Sequence, residues 1–386
     1  MTRLEYIEQF KNLVMEAVKG TGLFPSLMMA QAILESSDVK GVPGNSTLAR
    51  VYNNHFGIKA DKNWTGKKVN LITREVFDDA IDYLKQHCEV DANQADVPYT
   101  PEALAAKLGG AQGLMCALTD RVDAGLIARS AQLKAVANIA VGYNNIDVPA
   151  CTARGIQVTN TPGVLDDSTA DLAFALMLAT ARRITEVEAY IRKGEWTGWK
   201  LKQWLGVDVH HATLGIVGMG RIGQAIARRA RGFDMKVIYH NRKRVAPEIE
   251  QRVKATHASL DELLAQADFV ILQMPYTPET HHLIGAAQLA RMKPSAILIN
   301  STRGGVVDDK ALVEALKNGV IRAAGLDVFE GEPKLDAGFL TLKNVVLVPH
   351  IGSSTEATRR AMAMTAAKNL VAALTGEMPP NLVNRA

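Results

Sequence analysis

Three polar residues follow apolar runs at positions where side-chain chemistry can be used: Arg303 after AILINST, Glu332 after AAGLDVF and His350 after VVLVP. When a hydride reaches a carbonyl it leaves an alkoxide, and an imidazolium can give that oxygen a proton at neutral pH. A carboxylate beside the imidazole would hold its tautomer and raise its pKa. A guanidinium can fork onto a substrate carboxylate and polarise the neighbouring carbonyl. Taken singly, a His after a strand is more often a structural hydrogen-bonding residue. The trio on successive late strand ends is harder to dismiss, because ligands of open α/β sheets bind outside the carboxyl ends of the strands.

A second constellation supplies the hydride side of such a reaction. The run Thr213 to Gly218 leads into GMGRIG, with Gly218, Gly220 and Gly223 in G-x-G-x-x-G register and a helical pattern after it. The first glycine suits a tight turn, the second a close approach of pyrophosphate to backbone N–H groups, and the third close packing of helix on strand. Isolated, this motif is weak; a strand before it, a helix after it and another strand at the right distance strengthen it. The acidic residue that would bind a ribose hydroxyl is missing at the end of that next strand. Asn241 stands there, with Arg242 and Arg244 beside it. Guanidinium groups suit a 2′-phosphate, so NADP(H) is expected in preference to NAD(H), which stays possible. The bland alternative is a solvated basic loop.

The elements that must position these residues are visible as short apolar runs alternating with helical patterns, the signature of βαβ units. Strands are expected at Val69 to Thr73, Gly113 to Ala117, Ala135 to Ala140, Thr213 to Gly218, Lys236 to Asn241, Phe269 to Met274, Ala296 to Ser301, Ala323 to Val328 and Val345 to Pro349. Two long helical patterns, Ser168 to Lys193 and Thr355 to Thr375, read as crossings between two domains. The expected fold is α/β: two doubly wound parallel-sheet domains, a Rossmann-like nucleotide domain over 168–352 and a flavodoxin-like substrate domain over 68–167 and 353–386. A small helical N-terminal fragment, 1–67, precedes them, with helices at Leu4 to Lys19 and Pro25 to Ser36.

Composition agrees with a globular chain of that kind. The 386 residues are 47% hydrophobic and 22% charged, with 44 Lys+Arg against 40 Asp+Glu. A net charge of +4 gives too little basic field to argue for a nucleic-acid partner. Cys88, Cys116 and Cys151 are widely spaced, so neither a disulfide framework nor a thiolate metal site is supported. Charges interrupt MTRLEYIEQFKNLV, and no apolar run is long enough to span a membrane. A cytoplasmic location and no membrane partner are expected.

GMGRIG, NSTRGGVVDDKALVEAL, AAGLDVFEGEP and VPHIGSST, in this order and spacing, resemble the D-isomer-specific 2-hydroxyacid dehydrogenases. The resemblance runs from about Lys68 to Ala386. The stretches ANIAVGYNNIDVPACTARGIQVTNTPGVLDD, GVDVHHATLGIVGMGRIG and ETHHLIG are similar to the glyoxylate/hydroxypyruvate reductases that also reduce 2-ketoaldonates such as 2-ketogluconate. The resemblance implies Arg303 as the carboxylate-binding residue and Glu332 as the partner of an acid/base His350. It further implies Val141 and Gly142 backbone N–H groups as a second carboxylate cradle, and Asp327 as holder of the nicotinamide carboxamide. Arg221, Ile222, Pro275, Thr280 and Thr302 complete the expected cofactor-binding set. Closure of the two domains over a small 2-oxo acid, and a homodimer, are also implied. Asp234 stands at a helix end where the family often has Gly.

The first 67 residues carry a different resemblance. PSLMMAQAILESSDVKG and NSTLARVYNNHFGIKADKNWTGKKV are similar to the opening half of peptidoglycan-cleaving N-acetylglucosaminidases. That likeness implies Glu35 as a general acid, raised in pKa by the apolar Ala30, Ile33 and Leu34. The family's second half is absent, dehydrogenase-like sequence begins at Lys67 to Thr73, and the join reads as a fusion in which Glu35 is a relic. Three readings therefore stand: a 2-oxo acid reductase, a cofactor-sensing module of the same fold, and a wall hydrolase. The pairs His210–His211 and His281–His282 are not counted as metal sites, because neighbours on a strand point apart and neither pair has a third ligand at suitable spacing. Trp196, Trp199 and Trp204 are expected in core or loop packing, or at the substrate mouth or a subunit contact.

Overall fold

Apolar runs that bury both faces become strands of parallel sheets, because each such strand must be covered by helices on both sides. The computed structural model describes residues 78–93 and 97–385. All but two of them, Asp78 and Asn93, fall in one unit. Its first sheet has three parallel strands, β1 (Gly113–Cys116), β2 (Ala135–Asn138) and β3 (Gln157–Thr159), in that spatial order. The second has seven: β4 (Thr213–Val217), β5 (Lys236–His240), β6 (Ala255–His257), β7 (Phe269–Leu272), β8 (Ile297–Asn300), β9 (Ala323–Leu326) and β10 (Val345–Leu347).

The seven strands lie in the order β10-β9-β8-β7-β4-β5-β6 and pair in parallel throughout. The chain winds outward from β4 in one direction through β5 and β6, then returns to lay β7 on its other side. The switch point between β4 and β7 is where an open parallel sheet splays its connections apart and leaves a crevice at the strand ends. Every residue of β7, β8 and β9 is buried. One apolar core, with Phe174, Met177, Ile216 and Ile226, lies on one face of this sheet, and a second, with Leu263, Leu298, Leu312 and Phe339, lies on the other. A third core, including Ile127, Ile156 and Val158, belongs to the smaller sheet.

Eight of the nine expected strands lie in the described residues and are present, each shorter by one or two positions; Val69 to Thr73 lies outside them. β3 and β6 were not expected: each has only three residues, with polar Gln157, Thr159, Thr256 and His257 diluting the apolar signal. The expected single helix from Ser168 to Lys193 is two, Asp166–Ala181 and Ile184–Arg192. Arg183 adopts a left-handed backbone (φ 55°), and the Ala181 carbonyl, which would continue the first helix, accepts the N–H of Val207. The guanidinium of Arg183 then pairs with Glu186 at 2.8 Å and lies 5.1 Å from the Trp204 ring, so the break is fixed by side chains of its own.

The helix Glu356–Thr375 begins at the capping hydroxyl of Thr355 and packs on the three-stranded sheet, with Leu370 and Leu374 against Gly113. The tail after it follows β3, where Val383 donates to the Val158 carbonyl at 2.7 Å. Asp234 does occupy a left-handed position (φ 51°) at a helix end, where a Cβ is a small burden that Asp tolerates better than most residues.

Gly325 lies in the middle of β9, where a Cβ would stand 2.8 Å from Thr180 Oγ1 and 2.9 Å from Ile299 Cδ1. Those atoms belong to a helix and a strand that are both tightly packed. Gly325→Val is expected to destabilise the protein by ~1–3 kcal/mol, the usual range for overpacking, measured as a lowered midpoint in denaturant titration with an unchanged slope.

Candidate active site

The glycine turn after β4 sits at the switch point. Gly218 has φ +109°, and a Cβ there would collide with the Gln273 backbone at the end of β7. A Cβ on Gly223 would strike the Gly218 carbonyl, so helix Arg221–Ala230 can approach the strand only because that residue has no side chain. At Gly220 a Cβ would meet nothing within 4 Å, and no side chain caps the helix that starts there. An uncapped helix N-terminus facing open space is a cradle for an anion, and the pyrophosphate of a dinucleotide fits it. Arg221 and Ile222 form the first turn of that helix; Arg221 lies toward Gly163 and Asp166.

At the end of β5, Asn241 accepts the Met219 N–H at 2.7 Å, which ties the second strand to the glycine turn. Arg242 is exposed, beside the charge of Glu279. Arg244 is already engaged: its fork meets both oxygens of Glu250 at 2.7 Å, and Glu250 also accepts the Tyr239 hydroxyl at 2.6 Å. The Arg244 hydrogen bond and then that of Tyr239 hold the Glu250 carboxyl down at about 2.

The other expected residues gather at the ends of β7 to β10. Thr302 donates its hydroxyl to the Met274 carbonyl, and Thr280 donates to that of Pro275 at 2.9 Å, so both brace the segment after β7. Asp327, at the end of β9, is 1% exposed and accepts from Ile351 N–H at 2.6 Å and Gly352 N–H at 2.9 Å. Burial raises its pKa, against the pull of these N–H groups and of His350. The N–H of His350 donates to the Asp327 carbonyl at 2.9 Å. His350 itself is held in the left-handed region (φ 54°), costly for a residue with a Cβ and common where a side chain must be aimed.

His350 Nδ1 donates to Glu332 Oε2 at 2.9 Å, while Glu332 Oε1 accepts the Phe329 N–H at 2.8 Å. Burial presses the Glu332 carboxyl upward, but the His350 hydrogen bond, the Phe329 N–H and the charges of His350 and Arg303 outweigh it and leave it below the ordinary carboxylate range. The two side chains are 23% and 30% exposed, so the outer nitrogen of the imidazole stays within reach of a small molecule. Burial also pulls the Arg303 guanidinium down, against the opposing charges of Glu332 and Asp327.

Gly142, Tyr276, Arg303, Glu330, Glu332 and His350 line one cavity of about 310 Å³. It draws on both sheets: any side chain at 142 would collide with the Arg303 guanidinium, so that the loop after β2 and the loop after β8 approach as closely as glycine allows. The Val141 and Gly142 carbonyls are tied by Asn160 (2.8 Å) and Asn138 (2.9 Å), and Asn144 reaches across to the Tyr276 carbonyl at 3.2 Å. Tyr276, Asn138 and Asn144 were not singled out from the sequence. Asn138 and Asn144 lie in amide-rich text, NIAVGYNNID, at the end of an apolar strand, whereas Tyr276 stands outside it in MPYTPET.

One expectation is corrected. His281 and His282 do not point apart: His282 has φ 50°, the rings stack with centroids 3.9 Å apart, and Glu330 from a loop 48 positions on approaches His282 Nε2 at 3.2 Å. Trp196 and Trp199 are not in the core but 61% and 79% exposed; only Trp204 is partly covered, packed on Tyr190. Glu35 lies outside the described residues.

A family model described as D-isomer specific 2-hydroxyacid dehydrogenase, NAD binding domain, matches residues 174–352. A second, described as mannosyl-glycoprotein endo-beta-N-acetylglucosaminidase, matches 11–113. The chain is 49% identical over 319 residues to a glyoxylate reductase of Thermococcus litoralis, a match covering 82% of this chain and 96% of that protein. Its fold matches a crystal structure of a Thermus thermophilus protein with TM-score 0.74 and 45% identity, covering 79% of this chain and 96% of that one. It also matches an NADPH-dependent glyoxylate/hydroxypyruvate reductase from Sinorhizobium meliloti, solved with NADP and malonate, with TM-score 0.71 and 33% identity over 80% of this chain and 95% of that one. Among the described residues no helix is long and apolar enough to cross a membrane.

Because the folded protein lowers the pKa of Glu332, ionising this group favours the folded state. That contribution is present above the ordinary value of 4.5 and is lost as pH falls through the lowered one. Glu332→Gln should therefore melt below the parent near neutral pH, with the gap narrowing as pH drops below 4.5 in paired thermal scans. A gap that is constant with pH would deny the carboxylate this role.

Proposed function

The chain belongs to the D-isomer-specific 2-hydroxyacid dehydrogenases, and from that premise we propose that it reduces small 2-oxo acids to 2-hydroxy acids with NADPH as the preferred hydride donor. Glyoxylate, hydroxypyruvate and 2-ketogluconate are the substrates in view. The observation that carries this reading is the hydrogen-bonded His350 and Glu332 facing Arg303 in one cavity beside the sheet's crevice.

Arg303 takes the substrate carboxylate on its fork, and backbone N–H groups at Val141 and Gly142 receive the same carboxylate from the opposite lobe. This sets the 2-oxo group in front of His350. A dihydronicotinamide, when bound, would supply the hydride. His350 gives its proton to the carbonyl oxygen as the alkoxide forms, and Glu332 stabilises the imidazolium before transfer and keeps Nδ1–H pointed inward, so that the outer nitrogen faces the substrate. Gly218, Gly220, Arg221, Ile222 and Gly223 would hold the pyrophosphate, and Pro275, Thr280, Thr302 and Asp327 would serve the nicotinamide half.

The NADPH preference rests on the absence of a carboxylate at position 241 and on the two arginines after it. Arg242, exposed after that strand, is the arginine we assign to the 2′-phosphate. Arg244 either leaves Glu250 to join it or shapes the loop from where it stands. The relative solved with NADP is a further support.

A homodimer accompanies this reading. Ile184, Ile191, Trp196, Trp199, Leu201 and Leu205 are each 49–79% exposed within a stretch of 22 residues, a density of bare apolar side chains that a lone soluble protein seldom presents. A second copy is the occupant proposed for it.

Replacing His350 with Gln should cut turnover by roughly 10²–10⁴-fold while NADPH binding by fluorescence stays near that of the parent; equal loss of both would remove His350 from proton transfer. Arg242→Ala should weaken NADPH roughly ten-fold, the worth of one charged hydrogen bond, and leave NADH unchanged. Both are read from the decay of the reduced-nicotinamide absorbance on glyoxylate, hydroxypyruvate and 2-ketogluconate. NADPH binding without turnover on any of them would favour a cofactor-sensing module instead. In sedimentation, Trp199→Glu with Leu201→Glu should shift the protein from dimer to monomer.

A further inference from the structure

His281, His282 and Glu330 form a group that the proposed reduction does not use. One ring nitrogen of each imidazole and one carboxylate oxygen of Glu330 all lie within 4.8 Å of one another. Consecutive residues of an extended chain point to opposite sides. Here the left-handed turn at His282, fixed by its N–H donating to the Gly305 carbonyl at 2.8 Å, brings both rings to the same side.

His281 Nδ1 is held 3.2 Å from the Tyr276 hydroxyl, while His282 already turns its Nε2 to Glu330 at 3.2 Å, with Asp308 4.0 Å from its Nδ1. A ligating histidine characteristically has its second nitrogen held by a carboxylate or another polar group, which fixes tautomer and ring direction. Two imidazoles and a carboxylate are the donor set of zinc and its neighbours, and the exposure of His281 and Glu330 leaves a way in. Ligands of a tetrahedral zinc stand about 3.3 Å apart at bond lengths of about 2.05 Å. Modest rotations of these surface side chains close that gap.

The geometry points to a binding site for a borderline-soft divalent cation such as Zn²⁺ on His281, His282 and Glu330, with water completing the coordination. Its position gives it a consequence. Tyr276 and Glu330 both line the cavity, and Glu330 is two residues from Glu332, whose other oxygen holds the Phe329 N–H. A cation clamping Glu330 to the His281–His282 turn restrains the loop 329–332 and crowds the cavity mouth, which slows turnover. This inhibitory part rests on the reductase reading; the binding part does not.

The test uses the full chain after chelator treatment. Zn²⁺ is titrated by calorimetry, and Co²⁺ is followed by the visible absorption that a tetrahedral site with nitrogen ligands produces. The parent should bind one Zn²⁺ more tightly than His281→Ala/His282→Ala does, by at least ten-fold, and Glu330→Gln should weaken it as well; circular dichroism checks that each variant is folded. Equal affinity in parent and double variant, or no Co²⁺ spectrum in the parent, overturns the site. Zn²⁺ should then lower glyoxylate reduction several-fold in the parent and leave the double-His variant unaffected. Binding with unchanged turnover overturns the inhibitory part alone. If no substrate is turned over by the metal-free parent, the reductase reading fails while the calorimetry still decides the site.

Discussion

The buried carboxylate of Asp327 accepts the N–H groups of Ile351 and Gly352, and the backbone carbonyl of the same residue accepts the N–H of His350. Three consecutive peptide groups after β10 are thus held from the end of β9. A carboxylate taken this far from water is costly unless its oxygens are used, and two backbone donors meet that demand. The left-handed conformation of His350 is itself unfavourable by about 1 kcal/mol or more. It persists because the residues on either side of it are fixed. With the backbone settled, the imidazole has a defined direction, and Glu332 completes it from the neighbouring loop. The orientation of the imidazole is thus inherited from a buried acid that lies behind it.

The cavity in front of that imidazole depends on a second constraint, the close approach of backbones. Gly142 lets the loop after β2 lie on the Arg303 guanidinium, and Gly304 lets the next peptide lie on the Phe329 carbonyl. Side chains at these positions would wedge the loops apart. The Asn138–Asn145 amide pair and Asn160 fix the first of these loops from below, and Asn144 fastens it to Tyr276. Of these bonds, only that of Asn144 crosses to the segment after β7.

Which parts of this were legible in the sequence follows from how local the signal is. β7 and β8 announce themselves because nearly every residue is apolar and β-branched or aliphatic, and Arg303, Glu332 and His350 could be located by counting to the ends of such runs. The glycine turn was legible for the same reason. β3 and β6 were not, since three-residue strands with polar members derive their pairing from neighbours already in place. The break at Arg183 was hidden because the residues on both sides suit a helix. What ends the first helix is Val207, a partner 26 positions beyond Ala181, against which the close fit of Gly206 matters. The stacked His281–His282 pair defies the assumption of extended backbone, because a single positive φ reverses which side a residue faces. The amide network under the cavity is non-local throughout, and no residue spacing reports it.

The end of the cofactor cleft farthest from His350 poses a problem of competing charges. Arg242 and Arg244 flank a strand end that carries no acid, which favours a phosphate, yet Glu250 stands within reach and holds Arg244 through two bonds. Were Glu250 free, its charge would compete for these two arginines with any anion brought to the loop. Neutralised by Arg244 and hydrogen-bonded by Tyr239, it is taken out of that contest and instead braces the loop, since the Tyr239 hydroxyl also accepts the Val245 N–H. Division of labour between two nearby arginines, one cancelling an acid and one left exposed, produces a net positive loop from residues whose formal charges nearly balance.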